Sequence, residues 1–82
     1  MMHLTIITPD DKIFEGEVSE ATFPGANGSF QVLKDHAALV SALTKGTVSY
    51  TTKSGKVSHV IERGVVEINN NNMTLLAEKV LG

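Results

Sequence analysis

Thr47-Val48-Ser49-Tyr50-Thr51-Thr52-Lys53-Ser54-Gly55-Lys56-Val57-Ser58-His59-Val60-Ile61 decides the fold. Val48, Tyr50 and Thr52 alternate with polar neighbours, which is the period of a strand with one buried face. Lys53-Ser54-Gly55-Lys56 interrupts the pattern, and Val57, His59 and Ile61 resume it. Glycine at 55 can take the positive φ that a tight turn requires. The stretch therefore predicts a β-hairpin.

The same grammar extends in both directions. Downstream, Arg63-Gly64 forms a break and Val65-Val66-Glu67-Ile68 a further strand. Asn69 to Asn72 is a polar tight turn, because asparagine tolerates positive φ better than other side chains. Met73 to Glu78 is the last strand. Upstream, His3 to Thr8 is rich in β-branched residues and ends at Pro9-Asp10-Asp11. Lys12 to Val18 is a second strand, with Gly16 a candidate bulge. Ser19 to Phe23 stays extended, Pro24 to Ser29 reads as a loop, and Phe30 to Leu33 is a short strand. Between 34 and 43 the residues suit either a helical turn capped by Asp35 or a turn at Lys34-Asp35-His36 followed by a strand from Leu39 to Ala42; the second reading is adopted. Short strands with turn signals between them predict one all-β domain over residues 1–82: a small, flattened sandwich or barrel of about eight to ten mostly antiparallel strands.

Composition narrows the function. Cysteine is absent, which excludes a disulfide framework, thiolate metal sites and a cysteine nucleophile. A net charge of −2 argues against a nucleic-acid module held by phosphate neutralisation. No apolar run approaches the roughly 20 residues of a membrane helix, and residues 1–10 lack the pattern of a secretory signal. His3, His36 and His59 have no metal-ligand spacing, so no metal is expected. Asp35, His36 and Ser41 supply the residue types of a hydrolase triad but lie too close in the chain to converge readily. Gly25 and Gly28 lack the lysine and the following helix of a phosphate loop. No cofactor and no catalytic residue are expected. Contact with other proteins is the leading function class, and a small-molecule or sugar-binding β-module is the alternative.

Three stretches carry a resemblance: His3 to Pro9 with Phe14-Glu15-Gly16-Glu17-Val18; Pro24 to Leu33 running into His36 to Leu43 and Gly46; and Arg63 to Ile68 with Met73 to Glu78. Together, in this order and spacing, they resemble the epsilon-subunit family of the bacterial rotary ATP synthase. The resemblance covers nearly the whole chain. Lys34-Asp35 stands where that family usually has Pro-Gly, and Ala38 where it usually has proline.

The resemblance implies the β-sandwich domain alone, without the C-terminal helical hairpin that restrains ATP hydrolysis and in some members binds ATP. No nucleotide binding is then expected. It also implies a non-catalytic central-stalk subunit on the cytoplasmic face of the bacterial membrane, joined to the membrane only through its complex. Ala26, Asn27, Gly28 and Ser29 match the segment that meets the membrane c-ring. His36, Ala38, Leu39, Val40 and Ser41 match the segment that meets the gamma subunit. Relatives often carry an acidic residue where Ser29 stands.

Overall fold

A computed structural model describes all 82 residues. Nine strands follow one another without a helix: β1 (Met2–Ile7), β2 (Lys12–Val18), β3 (Glu20–Gly25), β4 (Gly28–Val32), β5 (Leu39–Leu43), β6 (Gly46–Thr52), β7 (Gly55–Ile61), β8 (Gly64–Asn69) and β9 (Asn72–Ala77). They form one sheet in the order β2-β1-β9-β8-β5-β3-β6-β7, with β4 added on β3. The sheet curls into two layers, β2-β1-β9-β8-β5 and β4-β3-β6-β7. Only the β1–β9 pair is parallel. The expected small all-β sandwich is what forms.

Alternation builds the interior. Met2, Leu4 and Ile6 of β1, Val66 and Ile68 of β8, and Met73, Leu75 and Ala77 of β9 point inward from the first layer. Ala21 and Phe23 of β3, Val32 of β4, Val48 and Tyr50 of β6, and Ile61 of β7 answer from the second. No polar or charged residue is buried. The layers meet at their open edge where the Phe14 ring packs on Tyr50, with centroids 4.5 Å apart. The Tyr50 hydroxyl is matched to His59 Nε2 at 2.9 Å, so the one polar atom carried into this core has a partner.

Two boundaries differ from the sequence reading. Pro24 and Gly25 are buried members of β3, and β4 begins at Gly28, so the loop shrinks from Pro24–Ser29 to Ala26-Asn27. Proline is tolerated because the Gly25–Leu43 bridge uses the Pro24 carbonyl, which accepts from Thr44 N–H at 2.9 Å, and the Ala26 N–H. Gly16 is not a bulge; it pairs regularly with Leu4. The register shift lies between Ile6 and Ile7, which leaves Ile13 as the extra residue on β2. At Gly16 a Cβ would come within 3.1 Å of the Phe14 ring, so that position is small because an aromatic ring lies over it.

Turn chemistry follows the expected residues. Gly28 and Gly55 take φ of 123° and 121°, each just after a two-residue turn. Asn70 and Asn71 both have positive φ, as a type I′ hairpin demands. Asp35, which replaces the glycine usual in the resembled family, sits at φ 64°. Asn71 holds it there: Asp35 N–H donates to Asn71 Oδ1 at 2.7 Å, and Asn71 Nδ2 donates to Asp35 Oδ1 at 3.0 Å.

The edge strand β2 is tied to β1 through His3, whose Nδ1 lies 3.0 Å from Glu17 and Nε2 3.1 Å from Glu15. Both nitrogens can donate only in the imidazolium form. Hydrogen bonding to Glu17, and then to Glu15, raises the His3 pKa above its ordinary 6.5. Lys12, 2.6 Å from Glu15, and His3 hold the Glu15 carboxyl below its usual range.

Two outcomes are expected. Gly25→Ala places a Cβ 2.6 Å from the Gly28 carbonyl and should cost about 1–3 kcal/mol, read as a lower urea midpoint. Gly82→Ala, with open space around it, should leave the midpoint unchanged. For His3, a raised folded pKa means its stabilisation is complete below pH 6.5 and disappears as pH rises through the folded value. An NMR titration should place the His3 midpoint above 6.5, and Glu17→Gln should lower it. A wild-type midpoint at or below 6.5 contradicts this geometry.

Candidate functional site: an apolar row on an outer sheet face

Adjacent apolar pairs recur on the neighbouring strands β1, β5, β8 and β9: Ile6-Ile7, Leu39-Val40, Ala42-Leu43, Val65-Val66 and Leu75-Leu76. Side chains alternate between faces, so each pair sends one member to the core and the other to the outside. Ile6, Leu43, Val66 and Leu75 are buried, and Leu39 packs against the core. Their neighbours Ile7, Val40, Ala42, Val65 and Leu76 face outward.

Register aligns four of them. Ala42 pairs with Val65, Val65 with Leu76, and Leu76 with Ile7, a continuous row across β5, β8, β9 and β1. Leu76 is 56% exposed, Val65 41% and Val40, two residues from Ala42 on the same face of β5, 66%. The row floors a shallow concavity of about 600 Å³, walled by Pro9 and by the Arg63–Glu78 ion pair. Arg63 grips Glu78 with two bonds, Nε to Oε2 at 2.5 Å and Nη2 to Oε1 at 3.2 Å. That contact holds the Glu78 carboxyl below its usual range.

The opposite outer face is different. Thr22 pairs with Gln31 and with Ser49, and Ser49 pairs with Ser58, giving a row of uncharged polar side chains. Thr47 and Thr51 of β6 lie on the same side, and Val60 is its one large apolar residue. One outer face is thus apolar along its centre and the other polar.

The sequence-derived candidates divide accordingly. Ala26, Asn27, Gly28 and Ser29 are all exposed at the tip of the β3–β4 hairpin. His36 is half-buried, with Nδ1 2.7 Å from the Ala37 carbonyl, and Ala38 is exposed. Of the three β5 residues among these candidates, only Val40 faces outward. Leu39 and Ser41 turn to the inner side, opposite the buried Ile68 and Val66. Sequence reasoning missed Ile7, Ala42, Val65 and Leu76; the doubled apolar residues were the available signal.

The other constellations stay apart. His3 is engaged by Glu15 and Glu17, His36 by its neighbour's carbonyl, and His59 by Tyr50. Asp35 bonds to Asn71, and the Ser41 hydroxyl donates to the Ala42 carbonyl at 3.2 Å, so Asp35, His36 and Ser41 form no relay. A sugar platform needs flat exposed rings, whereas Phe23 and Tyr50 are buried and Phe14 and Phe30 are half-buried against the core.

Comparison with known proteins gives the family and the fold. The family described as ATP synthase, Delta/Epsilon chain, beta-sandwich domain matches residues 1–82. An ATP synthase epsilon chain from Nitratiruptor sp. is 42% identical over 78 residues, covering 94% of this chain and 60% of that protein. One from Chlorobium limicola is 43% identical over 79 residues, covering 94% of this chain and 89% of that protein. Among solved structures, a chain of the Euglena gracilis mitochondrial ATP synthase superposes with a TM-score of 0.89 at 24% identity, over 98% of this chain and 52% of its own. A chain of the Tetrahymena thermophila central stalk and c-ring assembly gives 0.81 at 18% identity, over 98% of this chain and 65% of its own. The structural likenesses establish a shared fold, and the sequence relatives establish descent: the chain belongs to the ATP synthase delta/epsilon β-sandwich family.

Proposed function

We propose that this domain is a non-catalytic rotor component of the ATP synthase that fastens the gamma subunit to the membrane c-ring on the cytoplasmic face of the bacterial membrane. The observation that carries the reading is the row Ala42–Val65–Leu76–Ile7, four outward apolar side chains aligned on a rigid sheet. A torque-bearing joint needs a broad contact that does not deform, and side chains fixed by strand register on a filled core supply it. Val40 extends the row, and His36 and Ala38 lie just before it on the chain. Leu39 and Ser41 act from behind, by holding β5 against Ile68 and Val66.

The hairpin tip at Ala26, Asn27, Gly28 and Ser29 is the second contact, directed to the polar loops of the c-ring. These residues are small and uncharged, so another backbone can approach closely. Family membership supports an accessory role in an ATP-synthesising complex.

Leu76→Asp and Val65→Asp should each weaken binding to purified gamma subunit at least about tenfold, equivalent to about 1.4 kcal/mol, because each puts a charge into a desolvated contact. Both positions are exposed, so the isolated fold should keep its urea midpoint. Val60→Asp on the opposite face should leave gamma binding unchanged. Equal losses from both faces, or none from either, would sink the assignment.

A further inference from the structure

Three strands, β2, β4 and β7, have a ladder on one side only, and their free edges are guarded unequally. On β7, residues Lys79–Gly82 return alongside: Ile61 bridges Val80, Val60 N–H donates to Gly82 O at 2.8 Å, and Leu81 N–H donates to Val60 O at 2.7 Å. β2 carries Lys12, Glu15 and Glu17 and is bent by the Ile13 bulge, both of which oppose edge-to-edge pairing. β4, Gly28-Ser29-Phe30-Gln31-Val32, has neither device. It contains no charge and no proline, and its only ladder is with β3.

Register shows which of its backbone groups are free. Around the Gly25–Leu43 bridge, Pro24 O and Ala26 N–H bond toward β5, so Gly25 turns its own groups to Gly28. Alternation along an antiparallel ladder then commits Gly28, Phe30 and Val32 to β3, while Ser29 and Gln31 point their N–H and C=O away from it. Neither makes a backbone bond in any loop or turn contact, and both residues are exposed.

Two outward residues separated by one are self-complementary under a twofold axis. We infer that the β4 edge of the unassembled chain pairs antiparallel with the β4 edge of a second copy, with Phe30 on the axis and Ser29 opposite Gln31 of the second copy. Each Ser29–Gln31 pair exchanges two hydrogen bonds, and symmetry supplies the pair twice. The side chains meeting on the outer face are serine and glutamine, so the axis brings no like charges together. Phe30 stays inward, 5.7 Å from Phe23 between ring centroids. The contact buries little beyond the strand itself, and the dimer is accordingly weak and concentration-dependent. Its consequence rests on the proposed function: Ser29 belongs to the hairpin directed at the c-ring, so self-pairing and assembly into the rotor exclude one another.

Sedimentation equilibrium over a concentration series tests this, with amide hydrogen exchange on the same samples. The average mass should rise from the 8.8 kDa monomer toward twice that at millimolar concentration. The Ser29 and Gln31 amides should slow together as it does, while the Phe30 amide, already bonded to β3, should not change. Gln31→Pro removes an N–H that the monomer leaves free and should abolish the mass increase. Gln31→Lys, which keeps the backbone intact, should weaken it and covers the case in which the proline variant misfolds. A wild-type chain that stays monomeric with fast Ser29 and Gln31 exchange overturns the inference. So does a dimer that survives both Gln31 variants, or one abolished by Leu76→Asp, which would place the contact on the apolar row instead. Failure of gamma binding would overturn the proposed function and leave the edge pairing standing.

Discussion

Gly25 is the constraint on which the rest depends. β3 is the one strand hydrogen-bonded to three others, β4, β5 and β6, and Gly25 is where it passes between layers. A Cβ there would lie 2.6 Å from the Gly28 carbonyl and 3.0 Å from the Phe30 ring. Its absence lets β4 fold flat against β3 while β5 crosses from the other side. The same corner requires a small residue at 46, where a Cβ would come 2.7 Å from Pro24 Cβ. Because the sheet turns here, one continuous hydrogen-bonded surface covers both sides of one core.

Once the sheet is folded, alternation assigns the outer faces. A strand with single apolar residues buries them and shows polar neighbours, as β6 does with Val48 and Tyr50 between Thr47, Ser49 and Thr51. A strand with doubled apolar residues must expose one of each pair. Four of the strands that carry such pairs, β1, β5, β8 and β9, lie side by side in one layer, so their surplus residues merge into one patch, whereas Val60 of β7 stands apart on the other layer. The molecule thus has an apolar and a polar outer face because of where five dipeptides fall in the topology.

Much of this was legible in the residues. The hairpin at Lys53-Ser54, the asparagine turn at 70–71 and the phase of Val48, Tyr50 and Ile61 follow from local chemistry. Pro24-Gly25 misled, because the residues that usually end strands here serve a buried corner, and only the position of β5 explains it. Gly16 misled because its need comes from the Phe14 ring above it, not from its own backbone. For the site, a segment match located β5 but not its facing: the structure turns Val40 outward, whereas Leu39 and Ser41 lie on the inner side. The apolar row was missed because Val65-Val66 and Leu75-Leu76 read simply as strand-forming residues until pairing order made their outer halves neighbours.

The central claim is that the β1-β9-β8-β5 face meets the gamma subunit while the β4-β3-β6-β7 face remains in water. Methyl NMR of the labelled domain, titrated with unlabelled gamma subunit, measures this directly. The account predicts large changes at the methyls of Ile7, Val40, Val65 and Leu76, with those of Val57 and Val60 unmoved. Changes centred on Val60, with the apolar row undisturbed, would contradict it.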